Sequence, residues 1–198
     1  GMRQVGSTAK PFTYAVAIGN GGYSPCYMVD NLPVSIDAGD GTTYTPKAYK
    51  PLPGPLTLKK ALAHSQNYAT MFLMKQVGAT AVSTLIKNLG ITSPVKAIPS
   101  NALGSFEASV YDMVGAYSVF VNHGIWTEPI YLLRIEDKNG NIIYERKPRI
   151  KVVMDEQTAY VMTDMLKAVV REGTGIRLTW KYKLTNPIGG KTGTTDEN

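Results

Sequence analysis

Three short stretches carry side chains whose types and spacing could do covalent chemistry. Ser7 stands three residues before Lys10 in "GSTAKPF", which puts hydroxyl and amine on neighbouring positions of one helical face. A serine hydroxyl is a weak nucleophile until a base removes its proton. A lysine can be that base where burial and nearby cations disfavour its charged form. A helix N-terminus beneath Ser7 would also offer N–H groups to a developing oxyanion. Ser65 and Asn67, in "HSQN", interrupt an apolar-periodic run, where Ser65 could relay a proton and Asn67 could orient a substrate amide. Lys191, Thr192, Gly193 and Thr194, in "GGKTGTT", join a cation and hydroxyls that could hold a carboxylate to a backbone that could pair with a peptide. Each stretch taken singly has a plainer use, as a helix cap beside a surface lysine, an exposed polar turn, and a strand end. "SPVK", Ser93 to Lys96, repeats the first spacing and shows how little one motif says alone. The third stretch lacks the Gly-x4-Gly-Lys frame of a phosphate loop.

The elements that must position these groups can be read from periodicity and punctuation. "STAKPFTYAVAIGNGG" reads as a helix with Ser7 near its cap, an apolar stripe through Phe12, Ala15, Val16 and Gly19, and glycine stops after it. Pro11 is tolerated only near a helix start, which places that start close to Ser7. Residues 23 to 55 show no clear period and form a long connection of the kind that tends to be functional. "TLKKALAHSQNYATMFLMKQVG" has helical spacing through Leu58, Leu62, Phe72 and Val77, so "SQN" falls mid-helix. "ATAVSTLIKNLG" is a shorter helix closed at Gly90. In "SVYDMVGAYSVFVNHG" the stripe runs through Val110, Met113, Val114, Tyr117 and Val121. Two extended runs around Asn139-Gly140 predict a hairpin. "DEQTAYVMTDMLKAVVREG" predicts a helix with Ala159, Met162, Leu166 and Val169 inward. "NPIGGKTGTT" reads as a short strand with glycines allowing close backbone approach. The pattern is mostly helical and poor in strands.

Composition sets the class. With 198 residues, 43% of them hydrophobic and 18% charged, the chain suits one globular domain. The net charge of +6 admits nucleic acid, membrane or acidic partners, but no aromatic-and-basic platform favours nucleic acid. The one dense cationic run, "RKPRIK" (Arg146 to Lys151), reads as a solvated turn. Cys26 is the only cysteine, which excludes an intrachain disulfide and a cysteine metal cluster. No run approaches the length of a membrane span. Gly1 ahead of Met2 reads as a residue left by recombinant expression. His64, His123 and Cys26 are read as packing, helix-end and spare-thiol residues.

Ser-x-x-Lys, then Ser-x-Asn, then Lys-Thr-Gly, in that order, is the signature shared by penicillin-binding proteins and serine β-lactamases. The Ser7 copy obeys the order and "SPVK" does not, because it follows "SQN". The chain resembles the transpeptidase domain of class A, bifunctional penicillin-binding proteins. "GSTAKPF", "LKKALAHSQN", "LGSFEASVYDMVGAYSVFVNHGIWTEPIYLLRI", "VVREGTG" and "GGKTGTT" carry that likeness across nearly the whole chain in collinear order. The family usually has phenylalanine where this chain has Ala9.

The resemblance implies an α+β fold of the penicillin-binding transpeptidase and serine β-lactamase type. It also implies a peptidoglycan D,D-transpeptidase whose Ser7 attacks the carbonyl between two terminal D-alanines and is acylated by β-lactams. In that scheme Lys10 is the general base, Ser65 relays a proton beside Lys191, and Asn67 orients the donor peptide. Thr192, Gly193 and Thr194 take the terminal carboxylate, and the N–H groups of Ser7 and Thr194 form the oxyanion hole. No cofactor and no metal are implied. The partners implied are stem peptides and β-lactams, with the longer protein membrane-anchored, carrying a glycosyltransferase domain, and acting in the bacterial periplasm. The family's sheet has five strands, two before the first motif and two after the third. Residues 1–198 are therefore read as a truncated single domain. Its Lys-Thr-Gly strand is expected to be disordered, misplaced or paired with another chain, and its activity in isolation is open. The competing readings are a serine β-lactamase and a non-catalytic binding or scaffold module.

Overall fold

The computed structural model describes residues 1–38 and 41–195. Among these, seven helices follow in order: α1 (Lys10–Gly19), α2 (Leu58–Ala63), α3 (Asn67–Val77), α4 (Ala79–Asn88), α5 (Val110–Val121), α6 (Glu156–Arg171) and α7 (Arg177–Trp180). The strands are short: β1 (Arg3–Gln4), β2 (Met28–Asp30), β3 (Ile36–Asp37), β4 (Thr43–Tyr44), β5 (Pro55–Thr57), β6 (Glu107–Ala108), β7 (Ile125–Thr127), β8 (Arg134–Glu136), β9 (Ile142–Glu145) and β10 (Ile150–Val152). They pair antiparallel in twos, as β1 with β6, β2 with β5, β3 with β4, β7 with β10 and β8 with β9.

Helix α1 is the axis of the core. All its residues from Lys10 to Ala17 are buried, a wider face than the Phe12–Gly19 stripe suggests, because α3, α4 and α6 all pack on it. A helix apolar nearly all round belongs inside. The Phe12 ring meets Tyr117 edge-on and lies against Phe120, tying α5 to the same core. Helix α6 buries the face expected of it, through Ala159, Met162, Leu166 and Val169.

Helix α5 turns a different face inward. Gly115, Ala116, Val119 and Phe120 are buried, while Val110, Val114 and Val121 stay exposed. The reason is close approach: a Cβ on Gly115 would lie 2.9 Å from the Pro129 ring, so only a glycine face lets the β7 region press against the helix. Asp112 also goes inward, fixed by a reciprocal capping box with Ser109.

The β8–β9 hairpin forms at Asn139-Gly140 as expected. It closes over a loop in which Asp137 Oδ1 accepts from the N–H groups of Asn139 and Asn141, with Gly140 at φ +85°. The 23–55 segment is less irregular than its composition suggests, since β3 and β4 pair within it and β2 pairs with β5 at its far end. The cationic run is no free turn: Arg146 and Arg149 both donate to the buried Glu128 carboxylate, at 2.7 and 3.0 Å.

Candidate active site

The nucleophile candidate stands at a junction. Strand β1 runs antiparallel to β6, and the chain is tied on by Val5 N–H to Phe106 O and Gly6 N–H to Gly104 O. Gly6, at φ +54°, then turns the backbone into a 3₁₀ turn over Gly6–Ala9 that feeds α1. Ser7 therefore lies in this tight turn, and Lys10 is the first residue of the α-helix, a correction to the continuous helix read from sequence. In 3₁₀ geometry residues i and i+3 eclipse, so the spacing still sets both side chains on one side. Tyr117 steadies the turn from α5, its hydroxyl donating to Thr8 O at 2.7 Å.

The "SQN" stretch does not ride mid-helix. It breaks the expected helix into α2 and α3, with Ser65 at the corner in left-handed backbone, φ +56°. A non-glycine residue resists that region unless its surroundings hold it there. Here they do. Gln66, 4% exposed, donates from Nε2 to His64 O at 2.9 Å across the turn. Its Oε1 accepts from Asn31 Nδ2 at 2.7 Å and from Leu52 N–H at 2.9 Å. Asn67 Nδ2 donates to Lys47 O at 2.7 Å. The long connection thus clamps the turn, and Gln66 and Asn31 are functional candidates that sequence reading passed over.

The Lys-Thr-Gly segment belongs to no ladder among the described residues, so it is not the strand expected. Several contacts tie it to the helices and to the Ser7 turn. Gly190 N–H donates to Leu166 O at 3.2 Å, and Thr192 and Thr174 share a hydroxyl contact of 2.7 Å. A Cβ on Gly6 would sit 2.5 Å from Thr194 O, and one on Gly193 would sit 2.9 Å from the Thr8 methyl. Two glycines therefore let the segment lie directly across the Ser7 turn.

These three pieces converge on Ser65. Lys10 Nζ donates to Ser65 O at 2.5 Å, to Asn67 Oδ1 at 2.6 Å and to Ser65 Oγ at 3.1 Å. Lys191 Nζ donates to the same Ser65 Oγ at 2.8 Å and to Thr192 O at 2.9 Å. No carboxylate is paired with either lysine among the described residues. Burial, and after it the charge of Lys191, pulls Lys10 from 10.5 down to about 7; burial pulls Lys191 down to about 8. Ser7 is the candidate the structure leaves apart: its hydroxyl has no hydrogen-bond partner among the described residues. It is half-buried and shares a cleft of about 510 Å³ with Asn67, Thr194, Tyr44 and Lys47. Thr192 and Gly193 are exposed beside it, while Ser93 and Lys96 of the decoy motif lie elsewhere, Ser93 Oγ donating to Glu107 O.

Chemically, an ammonium has three N–H groups, and Lys10 uses all three on the Ser65–Asn67 turn. A neutral amine has two and a lone pair. Losing the proton releases the longest of the three contacts, leaving an acceptor beside a hydroxyl already receiving a hydrogen bond from Lys191. A hydroxyl cleft beside a lysine that titrates near pH 7 is an arrangement suited to serine–lysine acyl transfer. Among the described residues no group of three or more His, Cys, Asp or Glu is arranged to hold a metal.

That class has a family here. The model of the penicillin-binding protein transpeptidase domain matches residues 2–198, and the chain belongs to this family. It is 32% identical to penicillin-binding protein 1B of Vibrio cholerae and 35% identical to penicillin-binding protein 1A of Aquifex aeolicus, over 99% of its own length in each case. It spans only 26% and 27% of those relatives. Among solved structures it resembles penicillin-binding protein 1A of Haemophilus influenzae, with a TM-score of 0.86 at 24% identity, covering 98% of this chain and 35% of that one. It also resembles the D,D-transpeptidase domain of a peptidoglycan glycosyltransferase from Eggerthella lenta, with a TM-score of 0.82 at 20% identity, covering 100% of this chain and 55% of that one. At those identities the structural likeness speaks for the fold, which is the transpeptidase fold expected from the motifs.

Proposed function

We propose that this chain is the catalytic part of a peptidoglycan D,D-transpeptidase working through an acyl-enzyme on Ser7. Neutral Lys10 takes the Ser7 proton as Oγ attacks the carbonyl between the two terminal D-alanines of a stem peptide. The N–H groups of Ser7 and Thr194 receive the oxyanion. As the C–N bond breaks, Ser65 passes a proton to the departing D-alanine amine, with Lys191 keeping the local potential positive. The amine of a second stem peptide then attacks the ester, forms the crosslinking amide and returns the proton to Ser7. Asn67 orients the donor chain, and Thr192, Gly193 and Thr194 take its carboxylate. A β-lactam imitates the dipeptide and leaves Ser7 acylated. We place the full-length protein at the outer face of the bacterial cytoplasmic membrane, joined to a glycan-polymerising half.

The observation that carries the reading is the convergence of two carboxylate-free lysines, Lys10 buried and Lys191 half-buried, on the Ser65 hydroxyl at the edge of the Ser7 cleft. Titrating the 198-residue chain with a fluorescent penicillin tests it. The expected result is one label per chain on the Ser7 peptide, absent in Ser7→Ala. Label that survives Ser7→Ala, or no label at all, overturns the acyl-enzyme and favours a binding module. Rapid release of the label with drug turnover points to a β-lactamase instead.

A further inference from the structure

We propose that Gln66 is a positioning residue that acts through the Ser65–Asn67 turn to fix where the Lys10 amine sits. This rests on the transpeptidase reading for its catalytic meaning, but the positioning itself is a matter of geometry. The side-chain contacts of Lys10 all go to this one turn, to Ser65 O, Ser65 Oγ and Asn67 Oδ1. The turn includes a residue in left-handed backbone, so something outside it must hold it in place.

Gln66 meets that need from the middle of the motif. Its side chain points away from the cleft into buried ground and uses both ends of its amide. Nε2 closes the turn on His64 O, while Oε1 receives Asn31 Nδ2 and Leu52 N–H from the 23–55 segment. Asn31 is 7% exposed and also donates to Leu52 O at 2.8 Å, so the clamp is itself anchored. The Gln66 backbone carbonyl accepts both the N–H and the hydroxyl of Thr70, joining the turn to α3. A short buried network thus runs from the connecting segment to the general base, and a shift of the turn must move the Lys10 amine or admit water to it.

The titratable groups on the elements around Lys10 include Lys191 of the Lys-Thr-Gly segment, His64 of the turn, Tyr14 of α1, Tyr68 of α3, Tyr117 of α5, and Lys47 and Tyr44 of the 23–55 segment. Lys191 is the one whose charge bears on Lys10, after burial. Loosening the turn therefore relieves the burial first and lets Lys10 hold its proton to higher pH.

The experiment titrates Lys10 directly, by NMR of labelled lysine side chains. It compares the wild-type chain with Gln66→Met, which keeps the volume and removes the hydrogen bonds, and with Asn31→Ala, which breaks the clamp from its far end. The expected result is a Lys10 midpoint raised by roughly half a pH unit or more, with the acid limb of Ser7 acylation by a fluorescent penicillin moving the same way. The maximal acylation rate should fall on the order of tenfold, as for a misplaced reacting group. Gln66→Glu, which keeps the acceptor for Asn31 and Leu52, should restore part of the rate at high pH. A Lys10 midpoint unchanged in Gln66→Met overturns the proposal; should that variant not fold, an unchanged midpoint in Asn31→Ala does so. A wild-type chain that takes no penicillin sinks the enzymatic reading alone, because the lysine titration still decides the positioning.

Discussion

Two of the places where this molecule takes charge out of water treat it in opposite ways. At the end of β7, Glu128 is buried with two guanidinium groups on its carboxylate, and the hydrogen bond from Arg149, helped by Arg146, holds it down to about 2. Beside the cleft, Lys10 is buried and Lys191 half-buried with neutral oxygens only, and loss of hydration pulls both toward neutrality. A paired buried charge keeps its ionised form and serves structure. An unpaired one gives up its proton near physiological pH, which is the property the proposed base needs. The absence of a partner is what equips the cleft for chemistry.

The strongest test of that contrast is Lys10→Met. If the neutral amine is the base, acylation of Ser7 should fall by about 10²–10⁴-fold. The same change should stabilise the fold. The unfolded chain holds the Lys10 proton up to 10.5 and the folded one releases it at about 7, so between those values the unfolded state binds more protons and stability rises with pH. Below about 7 the fold carries the full cost of the buried cation. Lys10→Met should therefore gain about 1–3 kcal/mol at pH 6, after allowing for acceptors left without a donor, and that gain should vanish as pH approaches 10.5. Chemical denaturation across pH measures it. Equal gains at pH 6 and pH 10 would break the comparison.

Lys191→Met sharpens it. Removing the neighbouring cation should raise the Lys10 midpoint, moving the acid limb of acylation upward, but by less than the whole depression, because burial is the larger cause. Ser65 also loses a donor, so the rate should fall on the order of tenfold to a hundredfold. A downward move of the acid limb would mean that the two lysines are not coupled through charge.

How much of this could be read from the residues depends on what set each feature. The three motifs pointed to Ser7, Lys10, Ser65, Asn67 and Lys191 by residue type and order, and the structure brings the last four into contact while the Ser7 hydroxyl stands apart. The hairpin at Asn139-Gly140 and the α6 face were legible because local rules dictate them. The α5 face was not, because a glycine at 115 and a capping aspartate at 112 overrode the apolar count. The break at Ser65 was hidden for a related reason: apolar spacing continues through it, and residues distant in sequence, Asn31, Leu52, Lys47 and Lys10, hold the corner. Gln66 carries no local signal of its role; a buried amide is identified by its partners. The Lys-Thr-Gly segment read as a strand from its composition, yet it is held by contacts to Ser65, Leu166 and Thr174 in the room that Gly6 leaves, rather than by a ladder.

On the paired side, Glu128→Gln should lower the melting temperature at pH 7, since two arginines lose their anion. The deficit should be full above about 4.5, shrink as pH falls and disappear near 2, the mirror image of the Lys10 profile. Ser7 acylation should be unaffected, and a loss there would mean that the two regions communicate.

The smallest effect belongs to Asp164 on α6, which accepts from Lys59 of α2 at 2.5 Å and from Arg171 at 3.2 Å. The geometry rivals that of Glu128, but both partners and the carboxylate are partly in water, where solvent screens the attraction and the long side chains lose entropy to hold it. Asp164→Asn should cost about 0.2–1 kcal/mol at low salt and less in 0.5 M salt, read from thermal melts at the two ionic strengths. A salt-independent loss as large as that of Glu128→Gln would show that contact distance, and not burial, decides what an ion pair contributes in this fold.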